Sequence, residues 1–342
     1  MPEVLRVDPE NPDKEIIARA AAILMRGELV AFPTETVYGL GADALDPEAV
    51  AKIFAAKGRP AWNPVIAHVA DRDAARALVT RWPRAAERLT HAFWPGPLTI
   101  VLPKQTIVPD IATAGQRGVA VRLPSHPVAL ALLRAVRRPI AAPSANRFTR
   151  VSPTTAAHVV ESLGERVSLV IDGGPCDVGI ESTVVDLVST IPTVLRPGAI
   201  TREQLEEVLE HQVAEVVHRV RSDDDSAAGQ RAPGMAERHY SPSADVWLFD
   251  ASQGDEIVAA LATLQATDAS SVVVALLLES TMPLAPNGHV VRMPNEPRGY
   301  ARELYAALHA ADAHGATVVA VERPPDTAPW RAIRDRLARA AR

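Results

Sequence analysis

Cysteine is nearly absent from this 342-residue chain, in which Cys176 is the single example. One cysteine cannot form an internal disulfide, and no Cys or His spacing matches a metal-ligand set. We therefore expect a protein of a reducing compartment, with no metal site built from its own side chains.

Long apolar runs are also missing. No segment approaches the ~20 apolar residues that a bilayer crossing needs, and the N-terminus, Met1-Pro2-Glu3, does not begin a basic-then-apolar signal segment. We expect a soluble, cytoplasmic protein.

Charge of one sign and aromatic side chains are both scarce. The net charge is −5 and aromatic residues make up 4% of the chain. The N-terminal half is close to neutral, and basic and aromatic residues do not interleave as they do on a nucleic-acid surface. Bulk charge therefore argues against a nucleic-acid-binding domain.

Apolar residues, by contrast, make up 47% of the chain, enough for a sizeable core, and the length exceeds one ordinary domain. Asn11-Pro12-Asp13 and Asp46-Pro47-Glu48 predict helix starts, and the second helix should end at Gly58. Short apolar segments predict strands at 29–32, 65–69, 98–102, 119–123, 140–142, 169–171, 183–187 and 193–195. This mixture predicts an α/β domain with a mixed sheet.

A polar stretch, 221–229, cannot pack a core and is interpreted as part of a linker. Beyond it, apolar strands alternate with helices, a pattern typical of a small parallel-sheet unit. The predicted strands are 246–249, 272–277 and 318–321, and the predicted helices lie near 254–265, 299–313 and 330–341. We predict a first domain at 1–211, a linker at 212–243 and a second domain at 244–342.

Two glycine patterns resemble nucleotide motifs but fail in detail. Gly39–Ala44 matches G-x-G-x-x-A, yet it begins six residues past its strand and no acidic residue follows at the ribose-binding distance. Gly174–Gly179 has the spacing of a P-loop, but Ile180-Glu181 replaces the Lys-Ser/Thr pair that holds phosphates and magnesium. Dinucleotide-binding and Walker-type folds are therefore excluded, and no G-x-S-x-G or H-E-x-x-H motif supports a common hydrolase.

Several cations lie in Gly-, Pro- and Ser-rich surroundings: Lys57, Arg59, His68, Arg122, Arg196, Arg238 and His239. Each alone could be a solvated surface charge. Arg122, however, falls inside the apolar strand 119–123, where a long charged side chain needs a partner or an anionic ligand. Arg196 ends its strand in the same way.

Small polar residues follow two of the predicted strands. The loop Phe32–Gly41 carries hydroxyls, a carboxylate and two glycines, so its backbone could approach a small ligand, although an ordinary turn fits equally well. Ser144 and Asn146 follow strand 140–142. Ser152 reads best as a helix cap that could also bind phosphate.

Taken together, these segments resemble the YrdC-domain family, the threonylcarbamoyl-AMP synthases, in its long two-domain form. The resemblance rests on Phe32–Gly41, Lys57-Gly58-Arg59-Pro60, Asn63-Pro64, Trp94–Thr99, Val119–Pro124, Ala142–Asn146, Ser152–Thr154, Gly179–Asp186 and Leu195–Gly198. It is strong over residues 15–242. One departure is Arg147–Arg150, where a small Ser/Gly loop is expected near the nucleotide.

The resemblance implies a twisted mixed sheet with helices around a concave cavity, followed by a smaller Rossmann-like α/β domain, with the linker closing over the active site. It also implies an enzyme that converts L-threonine, bicarbonate or CO2, and ATP into threonylcarbamoyl-AMP and pyrophosphate. That product is the precursor of N6-threonylcarbamoyladenosine in tRNA. Mg²⁺ would arrive with ATP, no organic cofactor is expected, and tRNA would be reached indirectly through the transfer machinery.

By the same resemblance, residues of this chain take roles at the site. Lys57 and Arg59 are the candidate catalytic residues. The candidate L-threonine ligands are Thr36, His68, Arg122, Ser144 and Ser182. The candidate ATP ligands are Arg59, Asn63, Asn146, Ser152, Arg196, Arg238 and Tyr240.

Two alternatives remain open at this stage. The same cations could line a groove for double-stranded RNA or tRNA without catalysis. The fold could also serve as one module of a larger carbamoyl-transferring enzyme, although this chain lacks the zinc-finger and acylphosphatase-like parts of such proteins.

Overall fold

The computed structural model describes residues 1–216, 239–268, 270–284 and 287–341. Within these ranges the chain forms two compact units. The first contains 1–148, 153–177 and 181–216, and the second contains 149–152, 178–180 and the described residues from 239 onward. The predicted domains are contiguous, whereas the second unit also takes two short segments from the N-terminal half.

The first unit alternates helices and strands. Its helices are α1 (Lys14–Met25), α2 (Pro47–Lys57), α3 (Arg72–Arg76), α4 (Arg84–Phe93), α5 (Asp110–Thr113), α6 (Pro127–Val136), α7 (Ala156–Leu163) and α8 (Arg202–Leu209). Its strands are β1 (Glu3–Arg6), β2 (Val30–Phe32), β3 (Gly39–Asp43), β4 (Ile66–His68), β5 (Leu98–Pro103), β6 (Gly118–Arg122), β7 (Ile140–Ala141), β8 (Leu169–Asp172), β9 (Thr183–Asp186), β10 (Thr193–Arg196) and β11 (Ala214–Glu215).

The helix boundaries follow from local capping chemistry. The Asp13 side chain accepts hydrogen bonds from two backbone N–H groups at the start of α1, and Asp46 caps α2 next to Pro47. Helix α2 ends at Gly58, whose φ of 63° lies in the left-handed region that glycine tolerates best. The start and the stop predicted for α2 are confirmed, whereas α1 begins at Lys14 with Asp13 as its N-cap rather than the predicted Asn11.

The strands of the described first unit form one mixed sheet in the order β1-β8-β2-β3-β7-β4-β6-β5-β9-β10-β11. The sheet contains parallel pairs, such as β4 with β6, and antiparallel pairs, such as β3 with β7. The predicted mixed α/β sheet is therefore confirmed. His68 and Arg122 therefore lie side by side at the C-terminal ends of β4 and β6, whereas β7 runs antiparallel to β4.

Both faces of this sheet are covered. In β2, Val30 and Phe32 pack into a core under α1 and α6, whereas Ala31 between them packs into the larger core on the opposite face. The alternation follows from the two-residue period of a strand. A sheet buried on both faces explains why its strands read as continuous apolar runs rather than alternating ones.

Strands β1, β3 and β11 were not predicted, and β11 falls within the predicted linker. Gly39-Leu40-Gly41 is predicted to lie in a loop, whose two glycines would let the backbone approach a small ligand. The structure shows the reason for one of them, since a Cβ at Gly41 would lie 2.8 Å from the Phe32 ring and 3.1 Å from the Val30 carbonyl oxygen. Close packing of β3 on β2 therefore requires glycine at this position.

The second unit contains a four-stranded parallel sheet in the order β12-β15-β13-β14. Its elements are β12 (Asp245–Phe249), α9 (Gly254–Thr267), β13 (Val273–Leu277), β14 (Gly288–Arg292), α10 (Pro297–Ala313), β15 (Val318–Glu322) and α11 (Arg331–Ala340). The predicted parallel-sheet unit is confirmed, with β14 as an additional strand. In the described part of both units, no helix combines the length and apolar character that a membrane crossing requires.

Ile140 provides a test of the core beneath the site. It lies in β7, is fully buried and packs against the α1 and α6 core. We expect Ile140→Ala to lower the free energy of unfolding by ~2–5 kcal/mol because it leaves a cavity, as measured by urea denaturation. Ile191, which is 61% exposed, is the matched control, and Ile191→Ala should change stability by less than ~0.5 kcal/mol. Equal effects would contradict this description of the core.

Candidate active site

Arg122 is the centre of the first cluster of site residues. It ends β6, its side chain is buried, and its Nη1 donates to Thr36 Oγ1 at 2.9 Å. Its Nη2 forms a 2.8 Å ion pair with Glu35 Oε1, and its Nε donates to the Gly96 carbonyl oxygen at 3.3 Å. Glu35 is therefore the partner predicted for Arg122, a cation inside an apolar strand.

The loop after β2 is held in place from within. Thr34 Oγ1 donates to the Val37 carbonyl oxygen at 2.6 Å and accepts from the backbone N–H groups of Thr36 and Val37. This local turn places Glu35 and Thr36 side by side on Arg122. The predicted ligand loop is therefore a rigid, buried turn.

His68 lies beside Arg122 because β4 and β6 are parallel and these two residues are in register. Its imidazole is buried, and Nδ1 has no hydrogen-bond partner among the described residues. Burial, reinforced by the charge of Arg122, lowers the pKa of His68 to about 3. At neutral pH His68 is therefore an uncharged imidazole with one ring nitrogen available to a ligand.

Lys57 occupies the last position of α2, where its side chain is buried against the loop after β7. Its Nζ donates to the Ser144 carbonyl oxygen at 2.5 Å and also to the Asn146 carbonyl oxygen. Burial and the neighbouring Arg59 lower the pKa of Lys57, whereas Glu181 opposes this shift. Three predicted site residues, Lys57, Ser144 and Asn146, thus meet at one point.

Arg59 is fixed by the chain that follows it. Its Nη2 donates to Asn63 Oδ1 at 2.5 Å and to the Pro64 carbonyl oxygen at 2.6 Å, and its Nε donates to the Asn63 carbonyl oxygen at 3.0 Å. These contacts hold the guanidinium in a buried position. The orientation of Arg59 is therefore set in part by Asn63 and Pro64.

Arg196 and Ser182 form a further cluster. Arg196 donates from Nε and Nη2 to the Ser182 carbonyl oxygen and from Nη2 to Ser182 Oγ at 3.1 Å. Ser182 Oγ lies 2.8 Å from Thr99 Oγ1. Gly198 permits this arrangement, since a Cβ there would overlap the backbone of Ser182 and Thr183.

The remaining predicted site residues belong to the second unit or lie outside the described ranges. The Ser152 carbonyl oxygen lies 3.1 Å from His309 Nε2. Tyr240 is buried, stacks on Tyr305 with ring centroids 5.8 Å apart, and has the Arg336 guanidinium 5.1 Å from its ring centre. Arg238, and residues 217–238 of the predicted linker, lie outside the described residues.

Two buried carboxylates in the first unit were given no role by the sequence analysis. Glu35 pairs with Arg122, and Glu181 interacts electrostatically with Lys57. Their positions in the sequence could have identified them, because Glu35 directly precedes Thr36 and Glu181 directly precedes Ser182, both predicted threonine ligands. The described residues contain no group of three or more His, Cys, Asp or Glu side chains that could hold a metal ion.

Comparison with known protein families gives two matches that together span most of the chain. A model of the Sua5, YciO and YrdC proteins, described as "Telomere recombination", matches residues 22–198. A model described as "Threonylcarbamoyl-AMP synthase, C-terminal domain" matches residues 200–342.

Individual relatives agree with these matches. The Bacillus subtilis threonylcarbamoyl-AMP synthase is 40% identical over 338 residues, which cover 95% of this chain and 92% of the relative. The Pyrococcus abyssi threonylcarbamoyl-AMP synthase is 49% identical over 232 residues, 68% of this chain and 67% of the relative.

Solved structures of P. abyssi Sua5 are similar to this chain along its length. One variant matches with a TM-score of 0.90 and 38% identity, covering 100% of this chain and 96% of the other. The same protein complexed with L-threonine matches with a TM-score of 0.89 and 39% identity, covering 99% and 97%.

The fold and the family match define a protein of the Sua5, YciO and YrdC class. The chain belongs to the threonylcarbamoyl-AMP synthase family. The predicted family, α/β fold and nucleotidyl-transferring enzyme class are confirmed.

The buried imidazole predicts a pH dependence of stability. His68 has a folded pKa of about 3 against an ordinary value of 6.5, so between these values the unfolded chain binds the extra proton. Stability should therefore be complete above pH 6.5 and fall as the pH is lowered toward 3, by up to about 1.4 kcal/mol per pH unit.

Replacing the imidazole tests this assignment. Urea denaturation of His68→Gln should show a shallower loss of stability over the same acidic range, with a constant difference from the unmodified protein above pH 7. Parallel pH profiles for the two proteins would show that His68 does not titrate as described.

Proposed function

We propose that this protein is an L-threonylcarbamoyladenylate synthase that converts L-threonine, bicarbonate or CO2, and ATP into threonylcarbamoyl-AMP and pyrophosphate. Family membership and the relatives named for this activity support the proposal. A structural relative complexed with L-threonine supports the choice of amino acid. The product would feed N6-threonylcarbamoyladenosine formation in tRNA, reached indirectly and in the cytoplasm.

The observation that carries the proposal is the burial of four cationic side chains in the first unit. Lys57, Arg59, Arg122 and Arg196 are 2%, 7%, 3% and 4% exposed. Backbone carbonyl, amide and hydroxyl oxygens help to fix the positions of Lys57, Arg59 and Arg196. A cluster of basic side chains favours anionic groups, and the threonine carboxylate, bicarbonate and ATP each provide one.

The reaction divides into two steps. The threonine ammonium group and bicarbonate form an N–C bond, giving a carbamate with loss of one water and one proton. A carbamate oxygen then attacks the α-phosphorus of ATP as the bond to pyrophosphate breaks. Neither step requires a covalent enzyme intermediate, so positioning and positive charge would supply most of the catalysis.

At the threonine end, Arg122 would bind the carboxylate through its guanidinium. Thr36 shares that guanidinium, and His68 lies in register beside it. A neutral His68 can accept or donate a hydrogen bond without adding charge. Ser144 and Ser182 complete the proposed threonine ligands.

At the nucleotide end, Arg59 and Arg196 would bind phosphate oxygens, with Asn63 holding Arg59 in place. The other proposed ATP ligands are Asn146, Ser152, Arg238 and Tyr240. Mg²⁺ would enter as part of the ATP substrate, since phosphate oxygens supply most of its ligands. Lys57 would stabilise the negative charge that develops at the carbamate or the α-phosphoryl group.

Pyrophosphate release tests the proposal. Purified protein should release pyrophosphate from ATP and Mg²⁺ only when L-threonine and bicarbonate are both present. Release that is independent of threonine would overturn the synthase proposal. Salt-sensitive tRNA binding without threonine-dependent ATP use would instead favour an RNA-binding module.

Lys57 gives a residue-level prediction. Lys57→Ala should lower the rate of threonylcarbamoyl-AMP formation by ~10²-fold or more, because a preorganised charge contact to the transition state is lost. The measurement is the initial rate of pyrophosphate release at saturating substrates. Lys52 lies on the same helix and donates to the Gly27 carbonyl oxygen, so Lys52→Ala is the matched control and should keep the rate within a few-fold. An unchanged rate in Lys57→Ala would remove this lysine from the mechanism.

A further inference from the structure

We infer that Glu35 binds the α-ammonium group of the amino-acid substrate, while Arg122 binds its carboxylate. The inference rests on the proposed function, because it assigns a ligand for the same L-threonine. It starts from an unusual feature of the Glu35–Arg122 ion pair. Both side chains are buried, yet one carboxylate oxygen of Glu35 has no hydrogen-bond partner within the described part of the chain.

The free atom of the pair has a defined chemistry. Glu35 Oε1 lies 2.8 Å from Arg122 Nη2 as an ion pair, whereas Glu35 Oε2 has no hydrogen-bond partner among the described residues. Buried polar atoms are rarely left in this condition unless water or a ligand completes them. A free carboxylate oxygen beside a guanidinium suits a ligand that carries both a cation with N–H donors and an anion.

Charge balance leads to the same ligand class. Glu35 and Arg122 are net neutral together, and burial keeps two neighbouring groups uncharged, since it raises the pKa of Cys176 and lowers that of His126. A free amino acid is a zwitterion and is also net neutral. Docked with its carboxylate on Arg122 and its ammonium on Glu35, it places each charge next to an opposite one.

Without Glu35, binding of the substrate's ammonium group at this position would be unfavourable. An ammonium group held near Arg122 without an anionic acceptor would meet a buried like charge and lose its hydration at the same time. Glu35 removes both penalties. It also fixes the amine beside the guanidinium that holds the carboxylate, so the nitrogen that must react with bicarbonate is placed by two charges.

The competing interpretation is that Glu35 only orients Arg122 and never contacts the substrate. The two interpretations differ in their dependence on the amine. If Glu35 binds the ammonium group, its neutralisation should weaken binding of L-threonine alone. If Glu35 only orients Arg122, its neutralisation should weaken every ligand that has the carboxylate.

The test compares two ligands by isothermal titration calorimetry at neutral pH: L-threonine and (2S,3R)-2,3-dihydroxybutyrate, in which a hydroxyl replaces the amine. The unmodified full-length protein should prefer L-threonine by ~10-fold or more, as expected for a charge-assisted hydrogen bond. In Glu35→Gln the affinity for L-threonine should fall by a similar factor while that for the analogue stays within about twofold, so that the preference is lost.

Asp43→Asn is the matched control, because Asp43 is also a buried carboxylate of the first unit and pairs with Arg138 at 2.8 Å. It should leave both affinities and the preference unchanged. Glu35→Asp retains the charge and should retain a preference for L-threonine, which keeps the test decisive if Glu35→Gln does not fold.

Several results would overturn the inference. They are an equal loss of affinity for both ligands in Glu35→Gln, a retained preference in that variant, no preference in Glu35→Asp, and no preference in the unmodified protein. Failure of the unmodified protein to bind L-threonine at all would instead contradict the proposed function itself, so the two failures can be told apart.

Discussion

The desolvation of buried positive charge is the constraint on which the first unit depends. Each buried cation needs partners that replace water, or the unit would be destabilised. For Lys57 and Arg59 these partners include backbone carbonyl and amide oxygens, which compensate for lost hydration. Arg122 forms a 2.8 Å ion pair with Glu35, and Glu181 interacts electrostatically with Lys57. Buried carboxylates therefore lie beside buried basic side chains at two points of the first unit.

The fold meets this constraint by placing the buried site residues at the ends of helices and strands. Lys57 closes a helix, Arg122 and Arg196 close strands, and Ser144 follows a short strand. Such positions have side chains held by a rigid scaffold and backbone carbonyls free to accept from them. Strong burial on both faces of the sheet then keeps water out of the neighbourhood, which strengthens every electrostatic contact there.

Much of this organisation could be predicted from the sequence. Capping residues located α1 and α2, and apolar runs located the strands, because these signals are local. The sequence predicts that Arg122 requires a partner but does not identify it. The partner is Glu35 because the turn at Thr34 places its side chain against Arg122, a tertiary contact that the sequence does not reveal. Strand β3 was missed for a related reason, because its glycines serve close packing on β2, a tertiary requirement that overrides propensity.

The assignment of residues to units was also beyond the sequence. Ser152 was grouped with the first domain, whereas segment 149–152 belongs to the second unit. Composition reveals a polar linker but not short segments that leave one compact unit for another, because such segments carry no periodicity of their own. The family resemblance named candidate ligands but gave no role to Glu35 or Glu181, whose importance emerges from burial and pairing.

The chemistry of the product is the most direct test of the account. The protein would be incubated with ATP, Mg²⁺, L-threonine and ¹³C-labelled bicarbonate, and the nucleotide product analysed by mass spectrometry. The account predicts threonylcarbamoyl-AMP that carries one ¹³C atom, located in the fragment containing threonine. A product without the label, or AMP formed with no threonine attached, would contradict the claim that the buried cations assemble a carbamate and an adenylate in one site.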